Sequence, residues 1–140
     1  LGHQLIALAL GAATYKLKFG HHGANQPVLD HRTGRVFITS QNHNYAVSDG
    51  IADHIGVNIT YTNAADGTLE GFVDEHRMLE CVQFHPEASP GPHDCGFIFE
   101  RFREQAAAWN AARAKGKPGA AAAPPSASKR KGGDAHAASR

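Results

Sequence analysis

Apolar positions in this chain come in short bursts whose spacing changes along its length. Gln4 to Gly11 (QLIALALG) is apolar almost throughout and predicts a short helix, with Gly11 placed to end it. Arg35 to Ser40 (RVFITS) is β-branched and aromatic, hence a strand, and Tyr45 to Val47 is a shorter strand candidate. Val57 to Thr62 alternates apolar and polar and predicts a strand with one wet face. Ala65-Asp66-Gly67 is a turn signal, so Thr68 to Val73 should pair back on it as a hairpin. Met78 to Phe84 (MLECVQF) predicts a buried strand. Asp94 to Arg113 predicts the longest helix, with Phe97, Ile98, Phe102 and Trp109 near helical spacing.

The order helix, several strands, closing helix is that of an α/β domain with an antiparallel or mixed sheet. No strand precedes the first helix, and the apolar face of Leu5, Leu8 and Leu10 needs cover. Phe97, Phe99, Phe102 and Trp109 are expected to form the core and flank of the closing helix. From Gly116 onward there is no Leu, Ile, Val, Phe, Tyr or Trp. The chain therefore divides into an ordered part, 1–115, and a tail, 116–140, expected to be disordered because it buries nothing to offset its ordering entropy. No internal repeat is present.

Composition narrows the class. Of 140 residues, 41% are hydrophobic and 19% charged, enough for one modest core and against whole-chain disorder. The run Leu5 to Leu10 falls far short of the roughly 20 residues a membrane span needs. The N-terminus has no basic region of a signal peptide, and a start at Leu rather than Met reads as a fragment. Only Cys81 and Cys95 are present, and no CxxC pair, which argues against a disulfide scaffold or a thiolate zinc site and for a reducing, cytoplasmic setting. Residues 1–115 carry 9 Lys/Arg against 12 Asp/Glu, a balance of −3, and residues 116–140 carry 5 against 1, a balance of +4. The basic character thus belongs to the tail. Lys129-Arg130-Lys131 is too weak a patch to imply nucleic acid, and a solvated tail is the simpler reading.

Candidate chemistry centres on Phe84-His85-Pro86-Glu87, at the end of the last strand and ahead of a proline-rich loop. Glu87 is placed to hydrogen-bond one nitrogen of His85 and leave the other as a general base. A satisfied loop histidine is the plainer alternative. A base needs a nucleophile. Cys81 shares a strand face with His85 but lies about 13 Å away at ~3.3 Å per residue. Cys95 sits at a helix start that could lower its pKa, though a small packed residue is the simpler role. Adjacent His21 and His22 on an extended stretch face opposite ways, so a shared metal ion is not expected and hydrogen bonding is. Lys16 and Lys18 fit a solvated strand edge.

Leu1-Gly2-His3-Gln4 followed by LIALALG resembles the stretch just after the nucleophilic cysteine of class I glutamine amidotransferases, whose nucleophile turn reads Gly-x-Cys-x-Gly-x-Gln. Phe19 to Val28 (FGHHGANQPV), Thr39 to Val47 (TSQNHNYAV), Asp66 to Gly71 (DGTLEG) and Gln83 to Asp94 are similar to the small, glutamine-hydrolysing subunit of carbamoyl-phosphate synthetase. His-Pro-Glu is common to the whole class, whereas Ser-Pro-Gly-Pro-His-Asp and Phe-Gly-His-His-Gly separate this subfamily from its anthranilate, GMP and CTP synthetase relatives. The resemblance covers residues 1 to about 102.

It implies the C-terminal portion of a flavodoxin-like amidotransferase domain with a mixed sheet. It also implies that a cysteine just before Leu1 attacks the amide carbon of glutamine, that His85 moves the proton and that Glu87 orients His85. The backbone N–H of Leu1 would stabilise the oxyanion, Gln4 would contact the substrate, and Asn42 with the backbone around Asn44 and Tyr45 would hold the glutamine head group. Ammonia would pass to a large synthetase subunit that uses ATP and Mg; the chain itself would hold no cofactor and no metal. Two departures stand out. Asn44 replaces a usual Gly, in a loop where a left-handed backbone would be tolerated by Asn, and the nucleophile and the preceding half of the domain are not in the chain. On that reading the polypeptide alone would neither hydrolyse glutamine nor fold well. A catalytically inactive interaction module of the same shape, and a cysteine hydrolase acting on γ-glutamyl peptides, remain the alternatives.

Overall fold

A computed structural model describes residues 1–54, 56–88 and 93–114. The expectations for the tail 116–140 and for Ser89 to Pro92 lie outside the described residues. Helix α1 (Gly2–Ala9) is followed by strands β1 (Thr14–Asp30), β2 (Arg35–Val47), β3 (Val57–Asn63), β4 (Leu69–Asp74) and β5 (Leu79–Val82), then helix α2 (Phe97–Ala114). A short 3-10 turn, Asp49–Asp53, joins β2 to β3. The strands form one sheet in the order β2-β1-β3-β4-β5.

All four pairings are antiparallel. The mixed sheet is thus corrected for the described residues, and the cause is local. β1 and β2, β3 and β4, and β4 and β5 are each joined by a short turn, which serves antiparallel neighbours and needs no crossover. The expected β3–β4 hairpin is present. Asn63 Oδ1 accepts from Ala65 N–H at 2.8 Å, Asp66 Oδ1 accepts from Thr68 N–H at 2.9 Å, and Gly67 takes φ +77°.

β1 is the element least visible in the sequence. Its register with β2 shifts between Lys16 and His21 and again between Gly23 and Gln26, and Gly20 and Gly23 have φ of +72° and +109°. At Gly20 a Cβ would lie 2.6 Å from the backbone oxygen of His43, so only glycine lets the two strands approach this closely. β1 pairs with β3 over just Val28–Asp30. The remaining ribbon of β1 and β2 curls over the sheet, which brings Glu70 of β4 within reach of His21 on β1. The separate strand candidates Arg35–Ser40 and Tyr45–Val47 are one strand, and Asn42 and Asn44 lie within it. Among the described non-glycine residues only Met78 has positive φ, so Asn44 needs no left-handed backbone and the loop expectation is corrected.

Two apolar clusters make the core. Ala7, Val47, Ile51, Val57, Leu69, Phe72 and Cys81 pack beneath α1, with Ile6 and Leu10 against them. Val28, Phe37, Tyr61, Phe84 and Cys95 pack elsewhere on the sheet, joined by Phe97 and Ile98 of α2. The buried stripe of α1 runs through His3 and Ala7, one i, i+4 row. It is rotated from the expected Leu5–Leu8–Leu10 face. Leu10 packs, but Leu5 and Leu8 are exposed. The expected aromatic core of α2 is likewise corrected: Phe97 meets Phe37 with ring centroids 5.0 Å apart, whereas Phe99 and Phe102 face solvent and no residue of the helix is fully buried. Its first turn packs against the sheet, and Arg101 of the next turn donates to Glu80 of β5 at 2.6 Å. No helix among the described residues is long and apolar enough to cross a membrane.

Candidate active site

β5 ends at Val82, and the chain leaves it through Gln83 and Phe84 to His85. Two backbone bonds fix this exit: Gln83 N–H donates to the Glu70 carbonyl at 2.8 Å and His85 N–H donates to the Ser40 carbonyl at 2.9 Å. His85 is therefore anchored to both β4 and β2. Its Nδ1 lies 2.9 Å from Glu87 Oε1. The turn needed for that contact is closed by Ala88 N–H donating to the His85 carbonyl at 3.2 Å. Glu87's own backbone N–H, and then the His85 ring, hold its carboxyl below the ordinary carboxylate range despite some burial. An ionised Glu87 accepting from Nδ1–H leaves Nε2 as the proton acceptor. Both side chains are open to solvent, so the pair is presented to whatever binds there.

The first turn of α1 reaches the same region. Gln4 Nε2 donates to the Tyr45 carbonyl at 3.0 Å and to Gln83 Oε1 at 3.2 Å, two residues before His85. The structure thus joins Gln4, Tyr45 and the approach to His85. Asn42 and Asn44 stand together on the outer face of β2, their Oδ1 atoms 3.1 and 3.2 Å from the two nitrogens of His22. Leu1 is the N-cap of α1 and is exposed, with no side-chain cap.

Neither cysteine is an activated nucleophile. Burial pushes the Cys81 thiol up to about 12 and the Cys95 thiol to about 11, the latter helped by neighbouring Asp94. Cys95 is packed in the second core cluster, in keeping with the simpler of its two expected roles. A cleft beside Met78, lined by Arg32, Glu80 and Gln105 among others, carries no thiol, hydroxyl or imidazole to act on a substrate.

Several polar residues inside the molecule were not identified from the sequence: His3, Gln41, His43, Glu70 and Gln83. Thr39, Gln41 and His43 alternate with half-buried or exposed positions along β2 and are all buried. That period-two row of polar residues facing inward was the available signal. His21 points in and His22 points out, as opposite strand faces require. His21, His43 and Glu70 each offer a ligand atom, all within 4.8 Å of one another. Those atoms are already engaged: His21 Nδ1 with Glu70 Oε1 at 2.9 Å, and His43 Nε2 with Gln41 Oε1 at 2.9 Å. Glu70 Oε2, by contrast, is buried without a hydrogen-bond partner among the described residues.

His3 is the most perturbed imidazole. Burial lowers its pKa from 6.5 to about 4, against a raising contribution from its bond to Gln83 and with a further lowering from His43. The folded state keeps the ring neutral where the unfolded chain would protonate it. Stability is therefore complete above pH 6.5 and declines as pH falls from 6.5 toward 4, by about 3 kcal/mol in full. The urea midpoint followed across that window is expected to drop, and His3→Asn is expected to flatten the decline.

Residues 1–105 match the family described as glutamine amidotransferase class-I. Among curated relatives, the carbamoyl phosphate synthase small chain of Archaeoglobus fulgidus is 59% identical over 102 residues, 73% of this chain and 28% of that protein. The small chain of the same name from Polynucleobacter asymbioticus is 52% identical over 117 residues, 84% of this chain and 28% of that protein. The chain thus spans little more than a quarter of the length of these relatives. A solved structure of a GMP synthase protein from Thermoplasma acidophilum matches with TM-score 0.69 at 23% identity, over 80% of this chain and 57% of its own. That likeness speaks for the fold.

Proposed function

The chain belongs to the class-I glutamine amidotransferase family, and from that premise we propose that it is the His-Glu portion of a glutaminase site that supplies ammonia for carbamoyl phosphate synthesis. The observation that carries the reading is the His85–Glu87 pair at 2.9 Å, on a strand exit tied through Gln83 to the first turn of α1.

The chemistry follows from that placement. A cysteine immediately before Leu1 would stand at the amino end of α1. Its sulfur attacks the side-chain amide carbon of glutamine, and its proton goes to Nε2 of His85. The negative charge on the amide oxygen is met by the backbone N–H of Leu1, whose position at a helix start favours it. His85 then gives the proton to the departing ammonia, and water cleaves the thioester to glutamate. Glu87 holds the ring and its positive charge throughout. Gln4, Asn42 and the backbone of Asn44 and Tyr45 line the side from which glutamine enters. Ammonia passes to a large synthetase subunit, where ATP and Mg serve the later steps in the cytoplasm. Residues 1–140 alone, whose two thiols are both buried and held protonated, would not hydrolyse glutamine.

The test begins with the codon before Leu1. Cys there is expected, and Ser, Ala or Gly would favour an inactive interaction module. The longer gene product with its synthetase partner should release ammonia from free glutamine and not from a γ-glutamyl dipeptide. Release from the dipeptide alone would move the assignment to a γ-glutamyl hydrolase.

A further inference from the structure

Glu70 is wholly buried, yet it touches neither His85 nor Glu87, and nothing in the reaction above uses it. It sits at a bulge. Tyr61 of β3 pairs with Gly71 and Thr62 with Leu69, so Glu70 is the extra residue and its side chain is turned inward. A carboxylate in such a place is costly unless paired; its Oε1 finds neighbours on the curled ribbon, while its Oε2 is buried without a partner among the described residues. His21 Nδ1 lies 2.9 Å from Glu70 Oε1, and His43 Nε2 lies 3.7 Å from the same oxygen. His21 is held from its far side by Asp66, 2.9 Å from Nε2. The two imidazoles meet edge to face at 4.9 Å.

Thr39 Oγ1 donates to the Gln26 carbonyl and accepts from Gln41 Nε2 at 3.1 Å, and Gln41 Oε1 lies 2.9 Å from His43 Nε2. On its other side His43 Nδ1–H donates to the Tyr45 carbonyl at 2.9 Å. The same carbonyl receives Gln4 Nε2, which also donates to Gln83 Oε1, and Gln83 N–H donates back to the carbonyl of Glu70. The contacts close a ring of Glu70 side chain, His43, Tyr45 carbonyl, Gln4, Gln83 and Glu70 backbone, in which the Glu70–His43 link at 3.7 Å is a close approach and the others are hydrogen bonds.

We propose that Glu70, held by His21, is a positioning residue for glutamine: it sets His43, and through His43 the Tyr45 backbone and the Gln4 amide. This rests on the glutaminase reading and adds a residue to it. Its signature is a change in substrate binding without a change in the chemical step, since neither Glu70 nor His21 reaches the reacting atoms.

The experiment measures glutamine hydrolysis by the longer gene product with its synthetase partner, unsubstituted and as Glu70→Ala, Glu70→Gln and His21→Ala. Glu70→Ala is expected to raise KM for glutamine about 10- to 100-fold while kcat stays within about twofold, the effect of a small displacement of a binding group. Glu70→Gln keeps volume and an acceptor for His21 and should recover most of that loss. Should Glu70→Ala fail to fold, judged by its melting curve, His21→Ala decides by the same split. An unchanged KM in a folded Glu70→Ala or His21→Ala, a loss confined to kcat, or a Gln variant no better than Ala would overturn the proposal. If the unsubstituted protein releases no ammonia from glutamine, the glutaminase reading itself fails, and the assignment of Glu70 with it.

Discussion

Replacing His85 with Asn in the longer gene product is expected to lower kcat for glutamine hydrolysis by about 10²–10⁴-fold, the range of a positioned general acid-base group. The residue is held at three points: its backbone N–H on the Ser40 carbonyl, its ring Nδ1 on Glu87, and its strand exit on the Glu70 carbonyl through Gln83 N–H. Asn keeps the backbone anchors and removes only the titrating ring. It is open to solvent and fills no core, so thermal stability should be nearly unchanged. Glu87→Gln should give a smaller loss in kcat, because Glu87 acts only through the ring. Ammonia release measured against glutamine concentration checks both. A His85→Asn protein that retains most of its kcat would remove the general-base role.

The largest loss of stability is expected at Phe72. Its ring is fully buried in the cluster beneath α1 and lies 5.2 Å from the His3 ring. Phe72→Ala removes the ring and leaves a cavity bounded by β-sheet on one side and α1 on the other, elements that cannot easily collapse into it. The expected cost is about 3–5 kcal/mol, a large share of the roughly 5–15 kcal/mol that holds an ordinary domain together. Val36→Ala, on the exposed face of β2, serves as the control and should stay within about 0.5 kcal/mol. Urea unfolding of the two variants beside the unsubstituted protein makes the comparison.

Legibility in the sequence followed the range of the interactions involved. The β3–β4 hairpin could be read because Ala65-Asp66-Gly67 forms its turn from its own side chains and one positive φ. The His85–Glu87 contact could be read because the partners are two residues apart. β1 could not, because Gly20 and Gly23, at its register shifts against β2, and Pro27, in register with Ile38, are all poor strand residues in isolation. The facing of α1 was misjudged because His3, a polar residue, takes the innermost position and displaces Leu5 and Leu8 outward. The ring through Glu70 joins residues 4, 43, 45, 70 and 83, with His21 on Glu70, brought together by a bulge and a curl of the sheet. Neither feature leaves a mark in local spacing. Glu70, inside the apparently ordinary strand Thr68–Val73, gave no sign of being buried.

The loop leaving β5 has one more consequence. β2 is one of the two edge strands, with Val36 and Ile38 exposed, which is the profile of a rim that recruits other chains. That rim is occupied: the Ser40 carbonyl takes His85 N–H, and Ile38 N–H donates to Asp94 Oδ2 at 3.3 Å. The segment bearing the imidazole therefore also shields the molecule from stacking against its own copies. Engineering that loop for a new substrate also changes how much of an edge strand is left open to pairing with another chain.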